Sequence, residues 1–335
     1  MSPIYGRTKL EIFFRLDDIV RTNIKTMPGN HPRRWLSYYL ALVLPVFSAW
    51  CTVSGHAAQL VIRQAVPSPQ KSTAPPKPGQ LPQSRITYGH RDITVAWLAG
   101  PTDRYRHGVL GDDLEATRLV VETPSAKRLQ AVLPVRRVFE DLEPRLADVD
   151  GNGRDEIIVV ESDTESGASL AVYGIVGGQL KPIAATPFLG QPYRWLNPLG
   201  VGDFDGDGKL DIALVATPHI GGIMRLYHFK NSNLSLYAEY PGISTHRMGS
   251  TELGLGRVVS ASPRDQLLVP NQARRALMLL EWSTGQWQLV ARTELPGQLG
   301  SSLIPTGDGG WRFQLEDGRH FEVQIDRRAK NKGKP

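Results

Sequence analysis

The sequence predicts an all-β chain built from a repeated unit of short strands. Two observations carry this. The 335 residues include 33 glycines and 25 prolines, a supply of turn formers that favours short strands over long helices. Two segments also align at an offset of 55 residues: LADVDGNGRDEIIVVES from Leu146 and VGDFDGDGKLDIALVAT from Val201. In both, an acidic, glycine-rich loop runs straight into a β-branched apolar run of the kind that forms a buried strand. Hydrophobic residues at 41% and charged residues at 21% are the balance of a globular body. The single cysteine, Cys51, excludes an intramolecular disulfide and a multi-cysteine zinc site.

The chain opens with an expected export signal over residues 1–58, its true start at Met27 if the reading frame is over-extended. Arg33-Arg34 precede the largely apolar WLSYYLALVLPVFSAWC, and small residues follow around Gly55-His56-Ala57-Ala58. Such an arrangement implies a periplasmic or secreted protein. The alternative is membrane anchoring through residues 35–53, against which Pro45 and the short apolar length both speak. Residues 59–85 read as a proline-rich linker, extended and polyproline-like through VPSPQKSTAPPKPGQLPQ.

The folded body is expected over residues 86–326. A degenerate unit comes first, with HGVLGD, TRLVVET, KRLQAVL and RVFEDLE. After the first acidic loop stand EIIVVES, SLAVYGI, the turn Val176-Gly177-Gly178 and LKPIAAT. After the second stand DIALVAT, the turn His219-Ile220-Gly221-Gly222, IMRLYHF and LSLYAEY. A third copy, LGRVVSASPRDQLLVP from Leu255, keeps the strand and has lost the acids, and ALMLLEW and WQLVARTEL complete it. The hairpin WRFQLED–RHFEVQI closes the body, and 327–335 is a basic, disordered tail. The formal charge of +6 sits at the two ends: residues 59–325 hold 27 basic and 29 acidic groups. A body so balanced lacks the charge of a nucleic-acid binder.

The acidic loops have the spacing of a hard-cation site. Acids fall at positions one and three (Asp148 and Asp150; Asp203 and Asp205), with Asn152 or Asp207 at five and Glu156 or Asp211 at nine. Alternate residues of a tight turn can bring several oxygens to one calcium ion. Arg154 or Lys209 at position seven would ligate through its carbonyl, side chain to solvent. A helix-loop-helix calcium hand needs a bidentate Glu at position twelve, where Val159 and Leu214 stand, so that reading fails. One such loop could be an acidic turn that binds nothing; two in register argue for metal.

The DxDGxGxxD loop opening a strand, recurring at this period, resembles the FG-GAP/VCBS repeats of integrin-α-type β-propellers. Glu156 departs from the pattern while keeping the carboxylate. The resemblance implies a propeller with one structural calcium ion in each intact loop, two in all. At 55 residues per blade, 241 residues fit five blades, with four as the alternative and an open stacked array third; seven are excluded. Closure would come from the C-terminal hairpin pairing with DITVAWLAG, which contains Trp97, and so removing the exposed sheet edge.

Further chemistry could only come from polar loops meeting in a central funnel. Arg194 and Arg247 are candidate donors to an anionic or sugar-like ligand, Trp195 a candidate stacking platform, and His219 and His246 candidate pocket walls. Each has the plainer reading of a local turn contact, and a three-histidine metal site would need His107, His219 and His246 to meet. No nucleophile motif, phosphate loop or HExxH occurs. The expectation is therefore a calcium-binding, non-catalytic interaction or ligand-binding module with an unknown protein or carbohydrate partner. A carbohydrate-active or other hydrolytic enzyme using the funnel loops is the alternative.

Overall fold

The computed structural model describes residues 58–67 and 75–327. The expected export signal or anchor, apart from Ala58, and the basic tail from 328 lie outside them. Among the described residues every regular element is a strand, and none is a helix long and apolar enough to cross a membrane.

The strands are β1 (Gln59–Gln64), β2 (Thr87–Tyr88), β3 (Val95–Thr102), β4 (Glu115–Glu122), β5 (Arg128–Val132), β6 (Arg137–Phe139), β7 (Arg145–Ala147), β8 (Glu156–Asp163), β9 (Gly167–Val176), β10 (Gln179–Ala185), β11 (Leu196–Gly202), β12 (Asp211–Ala216), β13 (Ile223–Lys230), β14 (Asn233–Pro241), β15 (Arg257–Val259), β16 (Gln266–Pro270), β17 (Ala276–Ser283), β18 (Gln286–Glu294), β19 (Ile304–Pro305), β20 (Trp311–Gln314) and β21 (His320–Asp326). All pairings are antiparallel. They resolve into five groups of four: β2–β5, β7–β10, β11–β14, β15–β18, and β19-β20-β21 with β1. The short β6 bridges β4 to β8 and so joins the first two groups into one nine-stranded sheet.

Burial grades across each group. The second strands β8 (EIIVVESD), β12 (DIALVA) and β16 (QLLVP) are buried along their whole length, because both faces are covered. The fourth strands β14 and β18 share one pattern, mostly exposed with a single buried alanine, Ala238 or Ala291. The cores lie between groups: Ile157, Val159, Leu170, Trp195, Ile212 and Leu214 share one cluster, and Leu60, Leu268, Leu279, Phe313 and Val323 another.

The closing pair differs from expectation. β21 pairs with β1, Gln59 opposite Asp326 through Gln64 opposite Phe321. DITVAWLAG does not take that place, because β3 already has β2 on one edge and β4 on the other. Residues 59–64 therefore belong to the folded body, outside the linker assigned to 59–85. Leu60 is buried against the second cluster, and Ile62 packs on it.

Candidate functional site

Antiparallel order sorts the loops by end. A connection between first and second strands lies at one end of its group, and a connection between second and third strands at the other. The acidic loops fall in the first class, joining β7 to β8 and β11 to β12. His107, His219, Arg274 and Glu316 fall in the second.

In the first acidic loop, carboxylate oxygens of Asp148, Asp150 and Glu156 lie within 4.8 Å of one another. Gly153, at φ +84°, turns its N–H onto Asp148 Oδ2 at 3.0 Å, a conformation that side-chain-bearing residues resist. Asn152 N–H donates to Asp150 Oδ1 and Val149 N–H to Glu156 Oε2. Asp148 Oδ1 is buried with no hydrogen-bond partner. Burial, and then the charges of Asp150 and Asp148, raise the Glu156 carboxyl to about 7. An unpartnered buried oxygen among crowded carboxylates suits a cation, and an all-oxygen set suits a hard ion. Calcium fits this loop. Asp148, Asp150, Asn152 and Glu156 would hold it with the Arg154 carbonyl, and the ion would neutralise their charge.

The second loop repeats the scaffold. Asp203, Asp205 and Asp207 cluster within 4.8 Å, and Gly208 N–H donates to Asp203 Oδ2 at 3.0 Å. Asp211 is occupied: His228 Nδ1 lies 2.9 Å from its Oδ1, and Tyr237 Oη–H donates to its Oδ2 at 2.7 Å. Burial raises the Asp211 carboxyl. Asp205, Asp211 and His228 form a further close group. The sequence reading missed His228, although it stands directly opposite Asp211 in the β12–β13 register. The two position-seven side chains also differ. Lys209 reaches Asp207 at 3.5 Å and is mostly exposed. Arg154 is half-exposed, in keeping with the expected solvent-facing side chain, and also reaches Asp92 Oδ2 at 2.9 Å and the Ile175 carbonyl.

At the other end, loops from all five groups meet. His107 Nδ1 lies 2.5 Å from Glu140 Oε1, and Ser162 Oγ–H donates to Glu140 Oε2. Trp195 Nε1–H donates to the Glu140 carbonyl at 2.9 Å. His219 lies parallel to Trp195 with ring centroids 6.2 Å apart, and its Nε2 is 2.8 Å from His246 Nδ1. His246 Nε2 is 2.8 Å from the Ser250 carbonyl and must donate to it. With burial disfavouring a charge on His246, its Nδ1 accepts and His219 Nε2 donates. Burial lowers His219 to about 4, and the nearby Arg274 guanidinium acts in the same direction. Burial also lowers His246 to about 3, with His219 next. The connection Ser244–Gly254 crosses to the first group, where Gly249 N–H donates to the Val109 carbonyl.

The five candidate ligand residues therefore separate. Trp195, His219 and His246 pack together, but Trp195 is 2% exposed and offers no open platform. Arg247 stands 3.9 Å from Glu316 beside a hollow of about 380 Å³, with Gly300, Gln314 and Leu315. Arg194 supplies its carbonyl to Ala168 N–H. His107 pairs with Glu140, and no three-histidine group occurs among the metal-competent clusters of the described residues.

Residues 148–214 match the model of the FG-GAP-like repeat, which spans both acidic loops and the strands between them. No curated protein matches the chain. Among solved structures, the exotype rhamnogalacturonan lyase YesX is similar at 14% identity and a TM-score of 0.41, over 75% of this chain and 49% of that one. The chain thus spans about half the length of that lyase.

Proposed function

Taking residues 148–214 as an FG-GAP-like repeat, we propose that the chain is an exported β-propeller of five four-stranded blades, stabilised by calcium in two loops, and that it works as a non-catalytic interaction module. Five groups of four strands, with the first strand paired to the last, support the ring.

One observation carries the functional reading. At the end opposite the acidic loops His107, Glu140, His219 and His246 are engaged with one another and with neighbouring groups, while Leu114, Tyr193, Ile220 and Met248 stand 36%, 53%, 60% and 51% exposed on separate loops. Apolar tips beside half-exposed Arg247 make a surface suited to a protein partner. The carbohydrate reading built on Trp195 has less support, because that ring is buried. The hydrolytic reading has less support: Glu140 is enclosed, His246 spends both ring nitrogens on His219 and Ser250, and His219 spends its Nε2 on His246.

Two experiments test this. Metal analysis and melting of the purified chain, with and without chelator, should find about two calcium ions and a lower Tm in chelator. Capture from a periplasmic extract should retain a partner on the wild-type chain and lose it on Ile220→Asp/Met248→Asp, with the melt unchanged. No bound calcium and an unmoved melt would remove the metal reading. A partner held equally by both baits would remove the loop end as the interface.

A further inference from the structure

Between β5 and the outer part of the second group runs a groove of about 410 Å³, within the range of small-molecule sites. Its walls are apolar, from Val132, Pro134, Leu180, Pro182 and Phe188, and its floor carries Glu161. Alternation along β8 sends Glu161 to this face and its neighbour Ser162 to the other, where Ser162 serves Glu140.

Glu161 is 4% exposed, and its counter-ion is the half-exposed Arg137, whose contact is long. Tyr173 Oη–H donates to its Oε1. Arg137 Nη1 is 3.5 Å from Oε2, at the outer limit of a hydrogen bond. The guanidinium rests instead 5.1 Å from the centre of the Phe188 ring, and its side chain is 42% exposed. A buried carboxylate so weakly paired gains from any cation that can reach it. Burial raises its pKa accordingly.

We propose that this groove binds a primary ammonium group carried on an apolar stem. The ammonium meets Glu161 Oε2, and the stem lies along Pro134, Pro182 and Phe188. The walls exclude water from the pair, and the Tyr173 and Phe188 rings favour a cation. Arg137 is the resident competitor, free to swing out on its exposed stem. A free alkylamine and the side chain of a protein lysine share this chemistry.

Calorimetric titration of the full chain with hexylamine, hexanol, hexanoate and N-acetyl-lysine methylamide tests it. Hexylamine should bind about tenfold or more tighter than hexanol, the range of a lost charge-assisted hydrogen bond. Glu161→Gln should lose about as much, since its amide oxygen still accepts from Tyr173, and Arg137→Ala should bind hexylamine more tightly. If Glu161→Gln does not fold, Val132→Trp, at an exposed wall position, should block the groove. The lysine analogue matching hexylamine assigns the site to a protein lysine; weaker binding assigns it to a free amine. Equal affinity for hexanol, tighter binding of hexanoate, or hexylamine binding unchanged in both Glu161→Gln and Val132→Trp would overturn the proposal.

Discussion

Asp265 accepts the backbone N–H of Asp203 at 3.0 Å, across from one four-stranded group to the next. It stands in the degenerate third loop, which lacks acids at the metal-ligand positions, and it also accepts Ala261 N–H at 3.1 Å. Beside it, Arg264 Nε–H donates to the Asp205 carbonyl at 2.9 Å. The first acidic loop is braced likewise by its other neighbour, where Asp92 accepts Asp155 N–H at 2.8 Å and Arg91 reaches Asp155 at 2.7 Å. Each candidate metal loop is thus held by the corresponding loop of an adjacent group. The third copy lost the ligands and kept the brace.

Asp265→Ala should then lower stability by about 1–3 kcal/mol, the range for hydrogen bonds to a charged group. It should also weaken metal binding at the second loop while sparing the first. Calcium titration of Asp148→Ala against Asp148→Ala/Asp265→Ala isolates the second loop. Equal affinities would show that the brace serves packing alone.

Asp148 makes the metal hypothesis testable by a crossing pattern. Its buried Oδ1 has no partner, and its charge lies close to those of Asp150 and Glu156. In chelator, Asp148→Asn should melt at or above wild type, because one of three crowded charges is gone. In millimolar calcium it should melt below, because the ion has lost a ligand and stabilises less. Calorimetry in the two buffers reads both arms, and parallel curves would separate the loop from calcium.

The β1–β21 pairing predicts a dependence between the two ends of the folded body. Removing residues 58–64 strips six paired positions from β21 and the buried Leu60. A loss of at least about 3 kcal/mol is expected from the apolar burial and ladder bonds together. The bared edge of β21 should also draw chains together. Denaturant midpoints and size-exclusion chromatography measure the two effects. Leu60→Ala, which keeps the ladder, should cost about 2–3 kcal/mol and leave the chain monomeric if the wild type is. Unchanged stability on truncation would mean that β1 adds nothing to the fold.

What could be read in the sequence was what repeats or is local. The acidic loops, the strands after them and the turn at Val176–Gly178 declared themselves through spacing, and all stand where expected. β1 did not: QLVIRQ is six residues between an export signal and a proline run, and its partner lies some 260 residues away. Trp195 was misjudged for the same reason, since its burial depends on Glu140 and two histidines from other loops. His107 and Glu140 are 33 residues apart, and no periodicity links them. His228 was within reach, because counting the β12–β13 hairpin places it opposite Asp211.

Glu115 gives a pH signature. The residue is buried, one oxygen accepts His107 N–H at 3.3 Å, and the other, Oε2, has no partner. Burial, with the Glu140 charge adding, raises its carboxyl from an ordinary 4.5 to about 7. The folded chain therefore holds this proton more tightly than the unfolded one. Stability from the group is complete below about pH 4.5 and is lost as the pH rises through about 7. Glu115→Gln, which cannot take the charge, should match wild type near pH 5 and exceed it by roughly 2–3 kcal/mol at pH 8. Glu156 carries a similar shift, and the difference between the two proteins cancels it, because both keep that residue. Denaturant unfolding at the two pH values supplies the measurement. A gap between the proteins that stays constant with pH would mean that Glu115 remains charged in the folded state across this range.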